Sequence, residues 1–351
     1  MLHRSFFTSG DRKVRTIAIG GALFIFSIIA VGVWNEWRLA NATRYVFDMF
    51  QDRSRVTDEE FKERVFNLAW IALLFWLIES VQPTVMRCYH MLWREAKTLW
   101  FVERWLDSES SISDADERIA DGTMNITQMT VDLFAFGCRS IIVCIAFAPM
   151  LIQLSNYFSH FAFHVTGLLL WIVIAYCGLE MWLTWKIGGG DHIRFQDENR
   201  KNEAANRQEL VRVQRLKHGK ALRGRELTAA KKEVVAHFKT LRRGYFRSFP
   251  RSFLLDTWSV FNKQVWNCVP IVLLALAFRF GNEPLLTLGV LTQTVFALAV
   301  MRGALSLPPD SWAKISLIRT HRARLRELEK GLHVNPAQNV VVLHHDKAAS
   351  E

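Results

Sequence analysis

The sequence predicts an all-α membrane protein that crosses the bilayer six times. Half of its 351 residues are hydrophobic, and they cluster into runs of about 20, the length that spans a hydrocarbon core. Lys and Arg are spread unevenly between those runs. Trp34 and Trp37 stand at the end of the first run, where indoles form an interfacial belt.

The six runs are 16–35, 64–83, 133–155, 162–186, 254–280 and 284–305. All are expected to be helices, because lipid cannot satisfy an open backbone. Ala40-Asn41-Ala42 resembles a cleavage site. The first run, however, exceeds the roughly 7–15 apolar residues of a signal peptide, so a retained span is expected. Residues 1–320 read as one transmembrane domain and 321–351 as a cytoplasmic tail.

Charge orients the spans. Residues 1–15 hold four Lys/Arg, 86–130 five, 186–251 eighteen and 306–351 seven. Segment 36–63 holds five, and 156–161 and 281–283 none. The positive-inside rule then places both termini in the cytoplasm. The basic balance is explained by orientation and by the anionic leaflet, so no nucleic-acid partner is expected.

Several helices are expected to outrun the membrane. A helix over 64–106 would measure about 65 Å and be kinked at Pro83. The fourth continues past Gly188-Gly189-Gly190, a break or hinge, into a polar helix near 195–217. In 226–247, Leu227, Ala230, Val234, Phe238, Leu241 and Tyr245 share one face. That stretch reads equally as a helix on the membrane surface or a packed cytoplasmic helix. Pro308 and Pro309 suggest a short helix followed by a tail.

The polar groups inside the runs carry the functional signal. Asp256, Lys263 and Asn267 fall within about 40° on a helix and form a stripe on the fifth span. Glu79, Arg139, Glu180 and Arg302 lie in other spans, with Asp132 at a boundary. A charge at mid-bilayer costs about 2.5–3.5 kcal/mol on insertion scales. Such a set points to a shared wet cavity, the alternative being ion pairs that only lock helices together. Carboxylates in a cavity also exchange protons, which makes Glu79, Glu180, Asp132 and Asp256 proton-coupling candidates.

No phosphate-cradling glycine loop, H-E-x-x-H or G-x-S-x-G motif is present, so neither an enzyme, a metal site nor a cofactor is expected. Cys88, Cys138, Cys144, Cys177 and Cys268 form no C-x-x-C pair and read as buried thiols.

Residues 287–312, TLGVLTQTVFALAVMRGALSLPPDSW, carry Leu288, Gly289, Thr292, Gln293, Arg302, Gly303, Ala304, Ser311 and Trp312. This segment resembles the SbmA/BacA-like peptide antibiotic transporters. VWNEW, FDMFQ and VTDEEF (33–61), Trp93-Arg94, DADERIAD (114–121), EAANRQELV (203–211) and YFRSF (245–249) agree with that family in order and spacing. The LPPDSW stretch departs from it at the exit of the sixth span.

The resemblance implies a homodimer with an ABC-exporter-like helical fold and no nucleotide-binding domain, in the bacterial inner membrane. It implies proton-driven import of peptides and similar bulky polar compounds. Glu203 and Glu209 inherit candidacy for proton coupling by motif match. Cavity lining falls to Lys263, Asn267, Gln293, Arg302 and Arg139. Spans two, five and six are expected to turn polar faces to the cavity. The alternative reading is the membrane subunit of an ABC transporter with a separately encoded ATPase.

Overall fold

The computed structural model describes residues 6–7, 12–51, 56–107, 115–158, 166–188, 191–218, 225–280 and 287–332. Eight α-helices carry these residues: α1 (Arg12–Gln51), α2 (Asp58–Leu106), α3 (Ala115–Ser155), α4 (Leu168–Gly188), α5 (Asp191–His218), α6 (Arg225–Phe280), α7 (Leu288–Leu305) and α8 (Leu307–Gly331). A 3₁₀ turn, Asn156–Phe158, follows α3.

Five of the helices are long and apolar enough to cross a membrane: α1, α2, α3 from Arg118, α4 to Ile187, and α7. Three of the six predicted spans lie wholly within α1, α2 and α3; α4 and α7 hold 168–186 and 288–305 of two more, whose residues 162–165 and 284–286 lie outside the described residues. The remaining one, 254–280, forms the second half of α6. Asp256, Asn262, Lys263 and Asn267 dilute its apolar character.

Helix ends follow local chemistry. Thr57 caps α2, accepting from the Glu60 N–H at 3.3 Å, and Asp58, Glu59 and Glu60 complement the positive helix end. At 49 residues α2 measures about 74 Å, more than twice a hydrocarbon core, so much of it lies beyond the bilayer. Pro83 sits inside it without ending it. α6 runs unbroken through both the amphipathic stretch and the predicted fifth span, so 226–247 is not a separate surface helix.

The predicted short terminal helix is instead the 25-residue α8. Its prolines occupy the first turn, where the absent N–H has no intrahelical partner to lose. α8 continues through residue 320 and packs on α3.

The chain divides into two compact units: Met1–Cys177 with Pro270–Glu351, and Gly178–Val269. In the first, α1, α2 and α3 pack mutually and α7 packs on α1 and α3. α7 is the most enclosed of the five candidate spans. A core of Trp100, Phe101, Ala115, Ile119, Ile126, Leu325, Leu328 and Leu332 joins the far ends of α2 and α3 to α8. Phe6 stacks on Trp93 at 5.8 Å between ring centres.

The α1–α2 register is antiparallel and close. The Tyr89 hydroxyl donates to the Ala18 carbonyl at 2.9 Å, and the Asn35 amide donates to the Ile71 carbonyl at 3.0 Å. Gly21 lets the Tyr89 ring approach, since a Cβ there would overlap it. Of the five cysteines, Cys177 alone is buried; Cys88 and Cys268 are exposed and Cys138 and Cys144 half-buried. Uniform thiol burial is thus corrected, because apolar helix faces here point out of the chain.

Candidate functional site

The TLGVLTQ segment builds the start of α7 against the far end of α1. Thr287 caps α7, accepting from the Val290 N–H at 3.2 Å. Gln51 accepts from the Leu288 N–H at 2.8 Å, and Asp48 from the Gly289 N–H at 3.0 Å. Three of the helix's free N-terminal donors are thereby satisfied. At Gly289 a Cβ would run into the Arg44 carbonyl oxygen and the Asp48 carboxylate. Only glycine allows this approach.

One turn further, Gln293 is buried. Its amide donates to Asn41 Oδ1 at 2.9 Å, and its oxygen accepts from Arg44 Nη1 at 3.3 Å. Arg44 also donates to the Tyr157 hydroxyl at 3.4 Å and stands 3.7 Å from Asp48. Asn41, Arg44, Tyr157 and Gln293 form the polar end of a cavity of about 760 Å³, whose other walls include Trp34, Trp37, Ile145 and Met150. The volume lies within the roughly 300–1,000 Å³ of small-molecule sites. Gln293, a candidate for lining a chamber between copies, here lines a cavity within one chain; Asn41, Arg44 and Tyr157 join it without being named from sequence.

A second cluster ties three helices of the same unit. Arg139 Nη2 donates to both oxygens of Glu36, at 3.2 and 3.0 Å, and Nη1 to Glu79 Oε1 at 3.0 Å. The Glu36 side chain is 8% exposed, that of Glu79 40% and that of Arg139 31%. Glu79 and Arg139 came from the sequence; Glu36 did not. It sits one residue beyond the first apolar run, among interface-like tryptophans. The α1–α2 register nevertheless sets it beside the apolar stretch of α2.

The second unit holds Glu180, buried, which accepts a hydrogen bond from the buried Asn262 amide. Trp258 donates to Thr184 at 3.1 Å, one turn along the same helix pair. Asp256, Lys263 and Asn267 are exposed on a different face of α6 from Asn262, and Asn267 bonds Gln264 at 3.3 Å. Glu203 is exposed and accepts from the Tyr245 hydroxyl at 3.3 Å. Glu209, its side chain 11% exposed, pairs with Arg212 at 2.9 Å, and Arg212 also pairs with Glu233. Those carboxylates hold the Arg212 charge more firmly than usual.

Asp132 and Arg302 are half-buried in the first unit. The Arg302 carbonyl accepts from the Ser306 N–H, closing α7. The Ser311 and Trp312 side chains lie outside the described residues.

The sequence model of the SbmA/BacA-like family matches residues 11–333. The chain belongs to the SbmA/BacA-like family. Membership makes it a membrane protein of a transporter family and implies transport of peptides across the membrane. In this SbmA/BacA-like chain the Gly289–Gln293 geometry gives a physical reason for the Leu-Gly-x-x-Thr-Gln order of residues 288–293. Glycine admits α1, the helix end captures Asp48, and the glutamine anchors the cavity's polar end.

Proposed function

We propose that two copies of this chain import peptides across the bacterial inner membrane, driven by the proton gradient, with both termini in the cytoplasm and six spans per copy. Family membership supports peptide transport. The observation that carries proton coupling is Glu180: an ionisable group buried in the middle of the most apolar helix, bonded to an amide. Asn262 donates to it through Nδ2, and an amide can equally accept through Oδ1. The pair therefore suits a carboxyl group that alternates between acceptor and donor as its proton comes and goes.

In this reading, protons from the acidic side occupy carboxyl groups in the outward-open state, and the inward-open state releases them. Alternation does work only if the two states bind the proton unequally. The cavity beside Gln293 receives part of the peptide. Its indole faces suit aromatic and apolar side chains, and its amide and guanidinium groups suit backbone carbonyls. Asp256, Lys263 and Asn267 line a chamber between copies.

The test is uptake of a labelled cationic peptide into proteoliposomes holding this chain alone, without ATP. An acidic exterior drives accumulation; dissipating the gradient ends it. If Glu180→Gln, Glu203→Gln, Glu209→Gln and Asp256→Asn all accumulate peptide like wild type, the assignment of protons to these groups is wrong.

A further inference from the structure

We propose that Glu36, Glu79 and Arg139 together form a site that binds a single proton, with Glu36 its inner and Glu79 its outer carboxyl group. The inference rests on the proton-driven reading above and adds to Glu180 a second proton carrier, in the first unit.

The geometry is one guanidinium between two carboxylates from different helices, all at 3.0–3.2 Å. Arginine does not give up its charge in proteins. With both carboxylates ionised the cluster carries one uncompensated negative charge at the level of the membrane helices. One proton makes it neutral; a second would leave Arg139 without an ionised partner. The cluster therefore holds one proton when sealed from water and is free to lose it when hydrated.

The charged groups facing this centre are Glu36 from α1, Glu79 from α2 and Arg139 from α3. Among the described residues these three make no other ion pair. The contrast in exposure sets the direction of exchange. Glu79, at 40%, meets the surroundings, whereas Glu36, at 8%, is reached through the cluster. With the proton on Glu79, Arg139 pairs with ionised Glu36; with the proton on Glu36, it pairs with ionised Glu79, and water carries the proton between the two carboxyl groups. No bond other than O–H breaks or forms.

A purely structural cluster, which only ties α1, α2 and α3 together, makes the contrary prediction. Replacing a carboxylate with glutamine would then lower thermal stability without changing proton binding. Two readouts separate the cases. The infrared carbonyl band of protonated carboxylic acid is recorded on the full chain in liposomes across pH, for wild type, Glu36→Gln, Glu79→Gln and the conservative Glu79→Asp. A one-proton site predicts a band in wild type that both glutamine variants lose and Glu79→Asp keeps.

On the same vesicles, gradient-driven uptake of a labelled cationic peptide, relative to its downhill exchange, is expected to fall about tenfold or more in each glutamine variant and recover in Glu79→Asp. An unchanged band in both glutamine variants overturns the site, whatever transport shows. A band that behaves as expected while wild type ignores the pH gradient supports the site and overturns the importer reading instead.

Discussion

At the scale of single residues, Gly289 and Gln293 carry the sharpest constraints. Gly289→Val places a branched Cβ against the Arg44 carbonyl and the Asp48 carboxylate. Overpacking of this kind costs about 1–3 kcal/mol. Thermal unfolding in detergent is expected to show a clear fall, and a variant as stable as wild type would refute the close approach. Gln293→Leu keeps the volume but strips Asn41 and Arg44 of their shared partner. Both are half-buried and Arg44 keeps Tyr157 and Asp48, so the cost is expected at the low end, about 1 kcal/mol. Peptide uptake is expected to drop in parallel, read as uptake per folded protein.

Gln293 was legible because its segment carries a recognisable order of residues. Its partners were not, because they lie about 250 positions away and only tertiary packing pairs them. Glu36 escaped for a different reason. Hydropathy ended the first span at residue 35, whereas α1 continues to Gln51 and the Asn35–Ile71 contact sets the residues around Glu36 among apolar neighbours.

At the scale of elements, α8 is held by the core it shares with α2 and α3, where Leu328 is fully enclosed. Leu328→Ala is expected to cost about 2–5 kcal/mol and to expose α8 to limited proteolysis ahead of the rest. Resistance equal to wild type would show that α8 is held by something else.

The same contact buries Lys97, on the stretch of α2 beyond its apolar span. Burial lowers its pKa to about 8, with Glu329 opposing and Arg322 adding to the shift. A lysine that binds its proton less tightly folded than unfolded opposes folding while both states are charged. Stability therefore rises with pH between about 8 and the ordinary lysine value near 10.4, by a total of about 3 kcal/mol. Lys97→Met is expected to be more stable than wild type at pH 7 and to lose that alkaline rise, as urea titrations at several pH values would reveal.

Five of the predicted spans and the polar α5 follow from run length and charge alone, since hydropathy dominates in lipid. The length of α8 does not. Two prolines read as a stop in sequence, yet in the first turn of a helix they are a start. The continuity of α6 was hidden by a change of character halfway, from basic and amphipathic to apolar.

At the scale of the whole molecule, the apolar helices turn much of their surface outward. Phe66, Trp76, Phe134, Ile141 and Trp171 are exposed on α2, α3 and α4. Lipid and a second copy of the chain are the expected cover. Native mass spectrometry from nanodiscs is predicted to give a protein mass of twice 40.6 kDa. A strictly monomeric species that still transports would remove the chamber between copies from the mechanism.

The central claim is that peptide and proton move together. Coupling is reciprocal, so a downhill flow of either must drag the other. The direct measurement uses proteoliposomes with no pH gradient, a pH-sensitive dye inside and excess cationic peptide added outside. The lumen is predicted to acidify as peptide enters, and not to acidify with the Glu180→Gln chain. Peptide entry with an unchanged lumenal pH would contradict proton coupling outright.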